Sequence, residues 1–324
     1  MTVARLCEAL GLAGNPVEVA LNATNKLRMI ECFARAGVAH PAFAVVKKDA
    51  LEKDGLDGFE PPMSYPLVAK PTDSAGGRGV SLVRSRDELA CALETASAAG
   101  ISGDVLVEEC MMGPEVSVEV IVAEGVPHVL QVTDKLTSGA PNFFEVGHCQ
   151  PTSLPAASRK AIADLASAAV LAVGLENSAA HVEVMLTAEG PKMVELGARL
   201  GSDWITSHLI WNSVQGIDMV ECMIKLALGE TLSGWDFSDS GDVVATRFMP
   251  AREGVLLELG GLGDAAMASG VIHVETHGTV GERYGKAVDD SARFASVVAR
   301  GATKEEALNN CEEALKQIKV QLGQ

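Results

Sequence analysis

The stretch that most constrains this chain runs His181-Val-Glu183-Val-Met185, then Glu189-Gly190-Pro191, then Met193-Val-Glu195-Leu196-Gly-Ala-Arg199. Its alternation predicts two short strands joined by a turn. Residues two apart on a strand share a face, so a turn centred near Glu189 sets Glu183 opposite Glu195. Val182, Val184, Val194 and Leu196 then fill the other face, which must lie against a core. Two facing carboxylates repel unless a cation sits between them, and hard oxygen ligands of this kind suit Mg²⁺ or Mn²⁺. Taken alone, the same hairpin also reads as an exposed strand pair with two solvated glutamates.

The chain has 324 residues, 48% of them hydrophobic, enough for two domains or one multi-lobed one with a sizeable core. Its 26 basic and 43 acidic residues give a formal charge of −17. That argues against nucleic acid or an anionic membrane as partner, though not against a small anion held by a few placed lysines. The 4% aromatic content also disfavours base-stacking platforms. Seven scattered cysteines without CxxC spacing fit a reducing compartment with neither a disulfide framework nor a zinc site. The first residues lack the layout of a signal peptide, and no apolar run reaches the length of a membrane span. A soluble, cytoplasmic protein is expected.

Periodicity predicts a helix over Asn25–Ala36 stopped by Gly37, a strand ending at Val46, and a connecting segment over Leu51–Ser64. Strands follow at Leu67–Lys70, Val80–Val83 and Val105–Glu109, with a helix over Arg86–Ala98. The first two strands are close enough to pair as a hairpin. Met111–Pro114 reads as a hinge. Beyond it come strands at Val116–Val122 and Val126–Val132, an irregular stretch to Pro155, and a helix over Ala156–Val173. After the Glu183/Glu195 hairpin lies a helix around Ile217–Leu228. The tail from Asp242 mixes strands (Val243–Phe248, Val271–Glu275) with a closing helix from Lys304 to about Ile318.

The segment Lys70-Pro-Thr-Asp-Ser74-Ala-Gly76-Gly77-Arg78-Gly79-Val80 ends one strand on a lysine and feeds a glycine-rich loop into another. Glycines let backbone amides approach phosphate oxygens, and Lys70 adds a point charge. A Walker A loop or a Rossmann fingerprint would open a helix instead. A flexible hairpin loop is the alternative. In Glu108-Glu109-Cys-Met111-Met112-Gly113-Pro114-Glu115, an edge strand leads into the hinge. Such an edge can bind a purine through backbone groups, with a nearby carboxylate accepting from ribose hydroxyls.

With Lys26, Lys70, the glycine loop, the hinge and the paired glutamates in this order, the chain resembles the ATP-grasp superfamily from about residue 24 to about 230. The runs Thr133-Asp134-Lys135, Val146-Gly147-His148 and Glu195-Leu-Gly-Ala-Arg199-Leu-Gly201 look like the branch containing the L-amino-acid ligases. The resemblance implies an α+β, ATP-grasp fold: two α+β subdomains clasping ATP, with a C-terminal α/β extension. Its parts would be an N-terminal linker and helix region (1–60), a lid subdomain (61–112), a catalytic lobe (113–230) and a C-terminal ligase subdomain (231–324). It also implies carboxylate–amine ligation, in which ATP phosphorylates a carboxylate and an amine displaces phosphate. Carried over, Lys26 and Lys70 would hold ATP phosphates, with Ser74, Gly76, Gly77 and Gly79 in the lid loop. Glu108 would accept from the adenine amino group, Glu109 and Met111 would supply hinge contacts, and Glu115 would bind ribose. Glu183 and Glu195 would hold Mg²⁺ or Mn²⁺. Arg199 would stabilise the transferring phosphoryl and the tetrahedral intermediate, and His148 would stand on the substrate side.

Two departures stand out. Gly197 replaces the asparagine that many members place two residues after the second metal glutamate. The chain also starts 25 residues before Lys26, where such ligases usually carry an α/β domain of roughly 100 residues. Either the chain is a shortened natural form or a mis-started reading frame, or a second copy or another subunit covers the substrate pocket, with the helix near Lys26 and Leu6–Leu12 as contact sites. Alternatives to a ligase of amino acids are a bicarbonate- or formate-activating enzyme of the same fold and an ATP-binding regulatory subunit. Cys149 as a nucleophile is disfavoured, since ATP-driven ligation needs no thiol. His273 and His277 have a metal spacing only on a helix, and Arg283, Arg293 and Arg300 read by default as exposed.

Overall fold

The computed structural model describes residues 1–54, 59–139 and 144–324. Parts of the expected linker (55–58) and of the expected irregular stretch (140–143) lie outside the described residues. Strands β1 (Phe43–Val46), β2 (Leu67–Pro71), β3 (Ser81–Val83) and β4 (Val105–Glu109) form an antiparallel sheet in the order β1-β4-β2-β3. The helix Arg86–Ala99 covers one face with Leu89, Ala92, Leu93 and Ala96, an apolar stripe of helical period. Leu67, Ala69, Val105 and Val107 meet it. Strand alternation sends Lys70 and Glu108 to the opposite face.

The remaining strands are β5 (Glu115–Ala123), β6 (Val126–Thr137), β7 (Glu145–Gln150), β8 (Ser178–Thr187), β9 (Gly190–Gly197), β10 (Val243–Pro250), β11 (Gly254–Gly260), β12 (Val271–Thr276), β13 (Arg283–Tyr284), β14 (Arg293–Gly301) and β15 (Lys319–Gly323). Eight of them make one sheet, β12-β14-β10-β7-β6-β5-β8-β9, and three make a smaller one, β13-β11-β15. The C-terminal strands therefore continue the sheet of the lobe that carries the glutamates. Asn25 caps the helix Lys26–Ala36 by accepting from the Arg28 N–H, and Gly37 ends it in the left-handed conformation. Met29, Ile30 and Phe33 of that helix share a core with Ile162, Ala166, Ala169 and Val170 of the helix Ala156–Val173. Val116, Val118, Val120 and Val122 of β5 fill this core from the sheet. Among the described residues no helix is long and apolar enough to cross a membrane.

The hairpin β8–β9 has the expected register, Glu183 opposite Glu195, but a bulge follows directly: Val184 pairs with Met193 rather than with Val194. The extra residue flips the alternation. Met193 is therefore buried in the core with Val182, Val184 and Leu196, and Val194 is only half-buried. The expectation of Val194 as a core residue is corrected. Alternation alone cannot register a one-residue insertion.

Strand β7 stands where irregular chain was expected. Its sequence, Glu-Val-Gly-His-Cys-Gln, carries polar groups on both faces, and pairing with β6 and β10 holds it. Gly147 is needed there, because a Cβ would lie 2.3 Å from the Thr246 carbonyl oxygen of β10. The short helices Thr2–Leu10, Val17–Asn22 and Lys48–Asp54 and the strands β11, β13 and β15 are also additions to the periodicity reading. On the first of these helices, Val3, Leu6 and Leu10 share an exposed face.

The bulge yields a stability prediction. Met193→Ala should cost about 2–5 kcal/mol by emptying core volume, whereas Val194→Ala should cost about 1 kcal/mol or less. Urea denaturation of the two variants measures this, and equal losses would contradict the bulged register.

Candidate active site

The lid loop leaves β2 after Lys70, and Gly76, Gly77 and Gly79 all take positive φ (66°, 70° and 76°), which side-chain-bearing residues rarely adopt. Lys70 and Glu108 are diagonal neighbours across β2 and β4, and their side chains form a buried ion pair at 2.7 Å. Lys26, the first residue of its helix, donates from Nζ to the Ser74 carbonyl at 3.0 Å and pairs with Glu195 at 2.5 Å. One ammonium thus ties the lid loop to the β8–β9 hairpin. A cavity between lid and lobe is lined by Lys26, Lys70, Glu108, Phe33, Met193 and Val194, among others. At the hinge, the N–H of Glu109 donates to Ala42 O and that of Cys110 to Pro66 O. The Met111 N–H has no such partner among the described residues. The Glu109 carboxylate is held by Lys192 of β9 at 2.7 Å.

On the lobe, Lys135 of β6 reaches Glu115 of β5 at 2.7 Å, Glu145 of β7 at 3.0 Å and Glu183 of β8 at 3.4 Å. Burial opposes the charge on Glu183, but Lys135 and the neighbouring His181 outweigh it and hold its carboxyl well below the usual range. For Glu115 burial prevails over Lys135, and its carboxyl lies above the usual value. Glu183 and Glu195 offer hard carboxylate oxygens from paired positions on one face, beside the cations of the lid. That donor set fits magnesium.

His148 is 2% exposed; its Nε2 lies 3.2 Å from Glu145 Oε2 and 3.8 Å from Asp203 Oδ2. Burial works against its imidazolium, yet these two carboxylates raise its pKa above the ordinary histidine value. Asp203 accepts two bonds from Arg293, at 2.8 and 3.1 Å, and the Arg293 guanidinium stacks on Phe248 at 3.7 Å. Arg293 is therefore largely covered and paired, against its default reading as exposed. Asp203 (φ 56°) and Trp204 (φ 68°) are left-handed and lead into a π-helical turn, Ile205–Ile210, a combination that clusters at functional sites. Arg199 is exposed, with one guanidinium N–H on the Leu200 carbonyl at 2.9 Å. Cys149 is buried, and burial pushes its thiol up to about 12, so no thiolate nucleophile forms. His273 is on β12 and packs against Trp204 and His208, while His277 faces Ser296 Oγ at 2.9 Å.

Sequence reasoning gave no role to Lys135, Glu145, Asp203 or the His181–Glu119 pair. Lys135 carried a signal, a lone cation in the apolar-rich strand β6. Asp203 and Arg293 are 90 residues apart in the chain, and nothing in a single sequence joins them.

Two family models match the chain, the ATP-grasp domain over residues 63–208 and the L-amino acid ligase C-terminal domain 2 over residues 247–323. Residues 63–208 are thus similar to ATP-grasp domains, and residues 247–323 to the C-terminal domain of L-amino-acid ligases. Alanine–anticapsin ligase of Bacillus subtilis (strain 168) is 27% identical over 250 residues, covering 69% of this chain and 51% of that protein. D-alanine–D-alanine ligase of Geobacter sulfurreducens is 29% identical over 199 residues, 58% of this chain and 59% of that protein. A crystal structure of L-amino acid ligase from Bacillus licheniformis matches with TM-score 0.85 at 24% identity, over 99% of this chain and 77% of that one, which establishes the fold. The chain spans about half the length of the curated relatives it matches.

His181 gives a pH test. Burial opposes its charge, but Glu119 at 2.6 Å and Glu183 raise its pKa to about 10. A pKa raised on folding contributes stability that is complete below the unfolded value, about 6.5, and is lost as pH rises through the folded one. The melting temperature should therefore fall between pH 7 and 10, and less steeply in Glu119→Gln. Thermal melts across that range decide; parallel profiles for the two proteins would remove His181 from the account.

Proposed function

We propose that this chain is the ATP-binding and catalytic part of an ADP-forming carboxylate–amine ligase, acting on an amino acid in the cytoplasm. The observation that carries the reading is the paired register of Glu183 and Glu195, with Lys26 bridging Glu195 to the glycine loop. Lys26 and Lys70 bind phosphate oxygens, and the loop through Ser74, Gly76, Gly77 and Gly79 folds over them. Glu108 accepts from the adenine amino group, Glu109 and Met111 present hinge backbone, and Glu115 accepts from ribose. Glu183 and Glu195 would hold magnesium, which offsets charge on the β- and γ-phosphates when bound.

A substrate carboxylate oxygen attacks the γ-phosphorus, the bond to the β-phosphate oxygen breaks, and ADP leaves. The amine nitrogen then attacks the acyl carbon, phosphate departs, and the nitrogen loses a proton. Arg199 is free to turn from a single carbonyl contact toward the charge that builds on the phosphoryl and the tetrahedral carbon. His148 and Glu145 lie beyond Lys135 on the substrate side.

Calorimetry with a non-hydrolysable ATP analogue should detect binding that strengthens with Mg²⁺, and no heat in either condition would end the nucleotide reading. In a phosphate-release screen over amino acids, singly and in pairs, Arg199→Ala should slow turnover by about 10²–10³-fold. Wild-type rates in that variant would remove Arg199 from the chemistry.

A further inference from the structure

The trio Glu145, His148 and Asp203 has the makings of a site of its own. We propose that it binds a divalent transition metal of the zinc class, separate from the Glu183/Glu195 pair. Imidazole nitrogen with two carboxylates is a donor set such ions favour. One ligand atom from each residue lies within 4.8 Å of the others. At metal–ligand bonds of about 2.0–2.2 Å, a tetrahedral site has ligand edges of roughly 3.3–3.6 Å. The His148 Nε2 distances to the two carboxylates, 3.2 and 3.8 Å, bracket that spacing.

The second observation is His148 itself. The ring is almost wholly buried, its Nε2 faces both carboxylates, and neither nitrogen makes a hydrogen bond of acceptable geometry among the described residues. Buried polar side chains nearly always have such a partner. Where it carries no proton, an Nε2 directed at two carboxylates is satisfied by a cation set between them. The carboxylates are also oriented from behind, as metal ligands commonly are: Lys135 holds Glu145, and Arg293 holds Asp203. Those two permanent cations also serve Glu115, Glu183 and Asp290. Apart from the histidines His148 and His181, five carboxylates thus share two permanent positive charges, and a divalent ion adds to the balance.

The proposal does not need the ligase reading, and its test is made without nucleotide. The full chain, stripped with a chelator, is titrated with Co²⁺ while visible absorption is followed, and Zn²⁺ is then added as competitor. One equivalent of Co²⁺ should bind with a d–d spectrum that Zn²⁺ abolishes. Binding should weaken at least about tenfold in His148→Ala and Asp203→Asn and persist in Glu195→Gln. Circular dichroism melts establish that each variant folds, and if His148→Ala does not, Asp203→Asn decides. Three results would overturn the proposal: no saturable binding below about 1 mM, unchanged affinity in a folded His148 or Asp203 variant, or loss of the site in Glu195→Gln. Binding of the ATP analogue, measured in parallel, reports on the nucleotide reading separately.

Discussion

One largely covered ammonium shared among three carboxylates organises the candidate site. Lys135, 11% exposed, is the point at which strands β5, β7 and β8 bring Glu115, Glu145 and Glu183 together. At an effective dielectric near 20, a unit-charge pair about 4 Å apart interacts by roughly 4 kcal/mol. Three mutually repelling carboxylates would therefore drive protons onto one another without a central cation. The sharing is unequal. Glu183 has His181 as a second cation and stays firmly ionised, while Glu115 has Lys135 alone against its own burial and is raised. The strand register thus decides which carboxylate keeps its charge most securely, and it is the one that faces Glu195.

The sheet can afford such a charged face because its other face is apolar. Along β5, Val116, Val118, Val120 and Val122 enter the core beneath the two long helices. On the opposite face Glu115, Ser117 and Glu119 give way to Ile121 and Ala123, which lie in a second core with Ile205, Leu209 and Met219. The polar half of that face is the candidate site, and the apolar half is the floor on which the π-helical turn and the helix Met219–Ala227 rest. The left-handed Asp203 marks the border between the halves, and it meets Arg293, at the start of β14, just where the C-terminal strands join the sheet. The C-terminal segment is therefore part of the site's wall as well as of its support.

The features legible in the sequence are those with a short-range period. The helix stop at Gly37, the glycine loop, the β2–β3 hairpin and the Glu183/Glu195 register all follow from neighbours within a few residues. The bulge at Val194 escaped the same reasoning because period-two alternation has no term for one inserted residue. Strand β7 escaped because its stability comes from partners on either side, not from its own apolar pattern. The contacts of Lys135 and the Asp203–Arg293 pair are long-range, and a charged residue on a strand reads the same whether water or a distant partner receives it.

The ion pairs around the cleft suggest how it could admit a charged ligand at low electrostatic cost. Lys26 is held by Glu195, Lys70 by Glu108, and Lys192 by Glu109. The first two pairs each join a cation and an anion that the ligase reading assigns to different parts of Mg·ATP: the ammoniums of Lys26 and Lys70 to phosphate, Glu195 to the metal, Glu108 to the adenine amino group. On that reading, entry of the nucleotide would exchange pairs instead of exposing lone charges. Phosphate would take the place of Glu195 on Lys26, Glu195 would turn to magnesium, and the charge balance of the cleft would be conserved. A buried pair is strongly destabilising to break when one partner is left unmatched, and far less so when both are matched anew. The same logic would make the lid's position sensitive to what lies in the cleft, since Lys26 also donates to the Ser74 carbonyl of the glycine loop.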